Sequence, residues 1–244
     1  MCSRLKKLWI GICATALMTA LAAETASAHF LWVIQENGGY AVARGMLPDD
    51  LEGYDPAAVQ FINLFDPAGA PLTVARADQK DRVRFRPAET GSLSMAAVGC
   101  YWGHRVNTTR GKQLMTRRQA EEKGFRVLKA FDSTQTSKTL FAEGAAICRP
   151  LGMKFELVPV KSPYTRQAGE PLTVQLFFDG VALKNTVVNT QDQRQTTTDG
   201  QGIAHIDILK PGWQVIWSRH VVPASGGADV DHHQFMTFLV FEVQ

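Results

Sequence analysis

Leu172, Val174, Leu176 and Phe178 recur at every second position and run into Asp179-Gly180. A period of two puts the four side chains on one face of a strand, and Asp-Gly supplies the positive φ angles that a two-residue hairpin turn requires. The pattern continues to the C-terminus. Thr198-Asp199-Gly200-Gln201-Gly202 turns the chain before Ile203 to Leu209, where Ala204, Ile206 and Ile208 share a face. Pro211-Gly212 turns it again into Trp213 to Arg219, a polar loop runs from Pro223 to Asp231, and Phe235 to Val243 closes the chain as a hydrophobic strand. Strands this close together, joined by hairpin turns, predict a small antiparallel sandwich of immunoglobulin or transthyretin character.

The first half carries the same period less regularly, in Val59 to Phe65, Arg82 to Arg86 and Leu93 to Val98. Arg82, Arg84 and Arg86 fall on one face of their strand and Val83 with Phe85 on the other, as in a sheet solvated on one side. One helix is expected over Thr116 to Lys123, with Thr116 and Gln119 spaced as a capping box and Gly124 as a stop. Pro150, Pro159 and Pro163 then mark a change of register. The fold class expected is all-β, with two antiparallel β-sandwich domains over residues 29–150 and 151–244. A chain that is 45% apolar and 20% charged can bury cores of that size, which excludes disorder and a polytopic membrane protein.

Residues 1–28 read as an address. A basic head (Arg4, Lys6, Lys7) precedes an uncharged stretch from Leu8 to Ala23, and Ala26-Ser27-Ala28 offers the small residues that signal peptidase accepts. The stretch falls short of the about 20 apolar residues of a membrane span. Cleavage after Ala28 predicts a periplasmic or secreted protein with no membrane span. A lipid anchor on Cys13 does not fit, because Ile12 is too large for a lipobox. The formal charge of +3 comes from 26 Lys and Arg against 23 Asp and Glu. Most of it leaves with the leader, so no nucleic-acid partner is expected. Cys2 and Cys13 leave too. In an oxidising compartment Cys100 and Cys148 are expected to form one disulfide, worth about 4 kcal/mol by loop closure; thiolate metal ligation together with His104 is the alternative.

Cleavage makes His29 the first residue, and its α-amine and imidazole Nδ1 can then close a chelate ring on one metal ion. Candidate further ligands are His104, His220, His232 and His233, with Asp229 and Asp231 beside the last two. In an extended strand Asp231 and His233 point one way and His232 the other, so only one of the adjacent histidines faces a shared site. His205 lies opposite the apolar Ala204, Ile206 and Ile208 face and is expected at the surface. No H-x-x-x-H or C-x-x-C motif is present, nor a G-x-S-x-G elbow, P-loop or dinucleotide fingerprint. Glu156 and Glu170 are isolated carboxylates, so no enzymatic activity is expected.

Six segments together resemble the exported bacterial proteins of domain-of-unknown-function family 4198, formerly called NikM-like components of nickel or cobalt transport. They are Ala28-His29-Phe30-Leu31-Trp32, residues 151–159, Asp179-Gly180-Val181-Ala182-Leu183, residues 198–202, Pro211-Gly212-Trp213, and residues 239–243. The resemblance spans most of the mature chain, and in it His29 matches the family's post-cleavage histidine. Phe30 directly after His29, and Met153-Lys154 at the junction, depart from the usual form. The resemblance implies a soluble periplasmic protein of β-sandwich domains linked to transition-metal uptake. The expected function is to bind nickel, cobalt or copper, with His29 as anchor, and to present it to a membrane transporter or other envelope protein. Two alternatives stand beside it: a non-catalytic module presenting loops to an envelope protein or glycan, and a copper-dependent oxidase that uses His29 and a second imidazole.

Overall fold

A computed structural model describes residues 29–47, 50–167, 169–226 and 229–243; the expected signal peptide lies outside these. The strands of the first half are β1 (Phe30–Glu36), β2 (Gly39–Met46), β3 (Asp50–Leu51), β4 (Val59–Phe65), β5 (Pro71–Leu72), β6 (Val74–Asp78), β7 (Val83–Pro87), β8 (Met95–Thr108), β9 (Gly111–Gln113) and β10 (Val127–Leu140). Those of the second half are β11 (Phe155–Pro159), β12 (Leu172–Phe178), β13 (Val181–Ala182), β14 (Val187–Thr190), β15 (Gln195–Thr197), β16 (Ile203–Ile206), β17 (Gly212–Pro223) and β18 (His232–Val243).

The strands build three sheets. The first runs β1-β2-β7-β6 with β3 on β2, the central one β15-β14-β17-β18-β10-β8-β4-β5 with β9 on β8, and the third β11-β12-β13 with β16 on β12. Alternation along the central strands separates two cores. Val98, Cys100, Val215, Phe238 and Val240 face the first sheet, where Leu31, Trp32, Val33, Val83 and Phe85 meet them. Met95, Leu140, Ile216, Leu239 and Phe241 face the third sheet and pack on Phe155, Leu157, Leu172, Val174 and Leu176. The molecule is an all-β fold in which two sandwiches share one central sheet. The expected boundary at residue 150 falls in the connection between β10 and β11, and the central sheet takes strands from both sides of it. Its halves meet where β10 and β18 pair in parallel, the only parallel pairing among the described strands.

Local chemistry explains the turns and the helix. Asp179 and Gly180 both have positive φ (50° and 75°), as a type I′ hairpin demands, and Asn37-Gly38 (48° and 73°) makes the same turn between β1 and β2. Helix α1 (Arg117–Glu122) has both hydrogen bonds of the Thr116–Gln119 capping box. Arg84 pairs with Glu36 at 2.9 Å on the solvated face while Val83 and Phe85 are buried. Two expected boundaries move. His232 and His233 belong to β18, and β17 continues past Arg219 to Pro223, because twelve consecutive cross-strand partners, from Gly212↔Val243 to Pro223↔His232, keep both strands in the ladder. No helix among the described residues is long and apolar enough to cross a membrane.

The Cys100–Cys148 disulfide is not present; both thiols are free. Cys100 lies in the core between the first and central sheets, beside Tyr54 and Val98. Cys148 is exposed and interacts with Glu143 and Lys138, and Lys138 belongs to the opposite face of the central sheet. With a sheet between them, the two Cβ atoms cannot reach the about 4 Å separation that a disulfide needs. Burial pushes the Cys100 thiol up to about 12, and burial followed by the Glu143 charge raises that of Cys148. A protein beginning at His29 should therefore show one thiol reactive towards Ellman's reagent when folded and two in denaturant. Finding none in denaturant would restore the disulfide.

A buried ion pair holds the junction of the halves. Lys138 Nζ is 2.6 Å from Glu156 Oε1, with the two side chains 0% and 1% exposed, and it also donates to the Arg149 carbonyl at 3.0 Å. The Glu156 carboxylate accepts from the backbone N–H groups of Leu151 (2.7 Å), Gly152 (3.1 Å) and Met153 (3.2 Å). It satisfies the backbone of the segment that leads from β10 into β11.

Candidate metal centre on the central sheet

Cross-strand register brings distant residues into rows on the face that the third sheet covers. His104 on β8 pairs with Asp132 on β10, Asp132 with His233 on β18, and His233 with Val222 on β17. The next row is Tyr101, Thr134, Phe235 and His220. The third sheet ends over this second row, where Phe178 packs against Phe235 (5.1 Å between ring centroids) and His220 (4.6 Å). The row of His104, Asp132 and His233 lies between the third sheet and α1, whose Ala120 covers Val106 and Ala130 in the row beyond.

His104 reaches this face through a β-bulge. On β8 the residues paired with the third-sheet face are odd-numbered up to Tyr101, so plain alternation would send His104 to the other side. Between Tyr101 and His104 two residues, Trp102 and Gly103, oppose the single Ser133 of β10. Gly103 takes φ +70°, a left-handed angle that glycine adopts without strain. The extra residue reverses the alternation and re-aims the imidazole.

Asp132 fixes the orientation of His233. Nδ1 of His233 lies 2.9 Å from both carboxylate oxygens of Asp132, so Nδ1 donates to the carboxylate and Nε2 is the nitrogen left to meet an ion. His233 is 39% exposed and Asp132 14%. A histidine held by a carboxylate through one nitrogen, with the other open, is the usual arrangement of metal-ligating imidazoles. On the far side of Asp132, His104 Nδ1 is buried without a hydrogen-bond partner among the described residues. Turning that ring outward therefore breaks no bond to the protein. His220, enclosed by Phe178 and Phe155, has its pKa lowered by burial, which favours the neutral, metal-binding form. As the side chains stand, no three His, Cys, Asp or Glu groups among the described residues are close enough to hold one ion.

The other two histidines occupy the opposite face. His232 is 7% exposed and stacks on Phe131 (5.2 Å, 13° between planes), with a pKa lowered first by burial and then by the Lys129 charge. His29, immediately before β1, joins an ion network. Arg44 Nη2 donates to its Nδ1 at 3.0 Å, its Nε2 lies 3.0 Å from Glu52 Oε1, and Arg44 Nη1 lies 2.8 Å from Glu52 Oε2. The Arg44 guanidinium also sits 4.8 Å over the Trp102 ring. Asp229 and Asp231 serve the fold: Asp229 accepts from Arg118 N and Asp231 from Ala130 N and Arg117. His205 is exposed and meets Thr173 Oγ1 at 3.0 Å.

Sequence reasoning passed over Asp132, Arg44 and Glu52. No local motif marks them, because Asp132 lies 101 residues from His233 and Arg44 lies 15 from His29. The available signal was a lone carboxylate inside a long run of β-compatible residues, Val127–Leu140.

Fold and site together define a protein of two β-sandwiches on one shared sheet, with a carboxylate-oriented histidine between the third sheet and α1. Residues 26–222 match the family described as Domain of unknown function (DUF4198), and the chain belongs to that family. No curated protein and no solved structure matches it.

Proposed function

We propose that this family member is an exported, non-catalytic protein that binds a first-row transition metal ion, nickel, cobalt or copper, for a transport or homeostasis system in the periplasm or outside the cell. The ion is held by His233 Nε2 and His104 flanking Asp132, with His220 one row behind as a further ligand. The observation that carries this reading is the 2.9 Å contact of His233 Nδ1 to both Asp132 oxygens, with an unbonded His104 directly across the ladder. Imidazole and carboxylate donors suit these ions. His29 stands apart from this row. The nitrogen that would close a chelate with its α-amine already accepts from the Arg44 guanidinium, which also counts against the oxidase alternative.

The test is competitive titration of nickel, cobalt and copper into protein beginning at His29, into its His104→Ala variant, and into a form with one extra N-terminal alanine. The expected result is an affinity about 10–100-fold lower for His104→Ala, and no change from the added alanine. Full affinity in His104→Ala, with loss on adding the alanine, would move the ion to His29. Absence of stoichiometric binding in all three forms would favour the envelope interaction module, to which the separation of the donor side chains lends support.

A further inference from the structure

A cavity of about 1070 Å³ lies at the other end of the central sheet from His233. Ten residues of β18 separate His233 from Val243, a rise of about 30 Å. Its origin is a mismatch in cover. Trp213 and Glu242 are cross-strand partners near the ends of β17 and β18, and Trp213 points to the side where the first sheet packs. Residues Ile34 and Gln35 of β1 form one wall there. The short helix Pro163–Thr165 and residues 208–211 form the other.

The lining combines aromatic surface from Phe141, Tyr164 and Trp213 with polar groups from Gln35, Lys210 and Glu242. Tyr164 Oη, Lys210 Nζ and the Glu242 carboxylate make no hydrogen bond to another described residue. Burial, then the charges of Glu242 and Glu143, push the Tyr164 phenol up to about 12, so it keeps its proton. Arg166 is already committed: its guanidinium donates to the carbonyls of Gln167 and Glu170 and so shapes the rim.

These features narrow the ligand. Lys210 and Glu242 offset one another, and the one remaining charge, on Arg166, is turned onto the Gln167 and Glu170 carbonyls, so the cleft offers no free fork for an anionic group. A wholly apolar ligand would strip water from both charges without replacing their hydrogen bonds, which opposes its binding. Strand addition of a peptide would use β1, at the edge of its sheet, but the Val33 N–H there is already donated to Thr139 Oγ1 at 2.9 Å. A ligand with apolar C–H faces and many hydroxyl groups satisfies aromatic walls, donors and acceptors at once. We propose that this cleft binds a short neutral oligosaccharide, with one sugar ring laid on Trp213 and its hydroxyl groups bonded to Lys210, Glu242 and Tyr164. The inference is independent of the metal site.

The test uses protein beginning at His29, in EDTA, titrated with chitotriose, cellotriose and maltotriose and followed by tryptophan fluorescence and calorimetry. At least one trisaccharide should bind saturably below about 10 mM. Trp213→Ala should weaken that binding by about tenfold or more. Lys210→Ala, a change at an exposed side chain that leaves the fold intact, should weaken it about threefold and serves if the tryptophan variant unfolds. Failure of all three sugars to bind overturns the proposal, as does unchanged affinity in the Lys210→Ala protein. Saturable binding of a neutral pentapeptide where no sugar binds would assign the cleft to peptides instead.

Discussion

Glu156→Leu is expected to lower unfolding free energy by about 4–5 kcal/mol in urea melts, the largest effect of any single substitution considered. Breaking a buried ion pair from one side costs about 3–5 kcal/mol, because the surviving charge stays in a medium that cannot solvate it. Here the Lys138 ammonium would keep only the Arg149 carbonyl. Burial already draws the Lys138 pKa down, and the Glu156 charge is what opposes that pull. The same substitution strips the acceptor from the N–H groups of Leu151, Gly152 and Met153, and each buried donor left unpaired adds to the cost. Lys138→Met should cost less, about 3 kcal/mol, since the three N–H groups still hold the carboxylate. Melts in which the two variants lose equal stability would show that the backbone cradle contributes nothing; losses under about 1 kcal/mol would show that the pair does not hold the junction.

Asp132→Asn is expected to weaken nickel or copper binding by about 10–100-fold while leaving the urea midpoint close to that of the parent. Asparagine can present its carbonyl oxygen to His233 Nδ1, so the ring keeps its place and its Nε2 still faces outward. What it loses is the negative charge that makes the imidazole a better donor and offsets the charge of the ion. Asp132 is 14% exposed and asparagine has nearly its shape, so the replacement fits the same space without repacking its neighbours. His233→Ala removes the ligand itself and should abolish binding by the same row. Unaltered metal affinity in Asp132→Asn would separate the carboxylate from the site and leave the His233 contact as a structural hydrogen bond.

Much of the fold was legible because strand formation is written in short-range patterns. The alternation from Leu172 to Phe178 and the run Val59 to Phe65 coincide with strands of the same bounds, the Asp179-Gly180 turn has the angles its residues favour, and the capping box at Thr116 closes as its spacing requires. Each depends on residues within a few positions of one another. The shared central sheet did not emerge, because the β10–β18 parallel pairing joins Phe131 to His232, a register with no local signature. The disulfide failed for a related reason. Compartment and cysteine count say that two thiols can pair, but only the course of β8 through the central sheet puts Cys100 on one side and Cys148 on the other.

The candidate site divides along the same line. His104, His220 and His233 were recognisable as residue types, and alternation alone separated His232 from His233. Their company was not recognisable: a bulge at Trp102-Gly103 turns His104 onto the face of Asp132, and inter-strand register supplies Asp132 to His233. The sequence by itself determined the all-β character, the turns, the helix cap and the donor residues, since these rest on backbone preference and on solvation of single side chains. Tertiary structure alone decided which donors meet, because facing is a property of strand pairing, and one added residue in a strand exchanges its two faces.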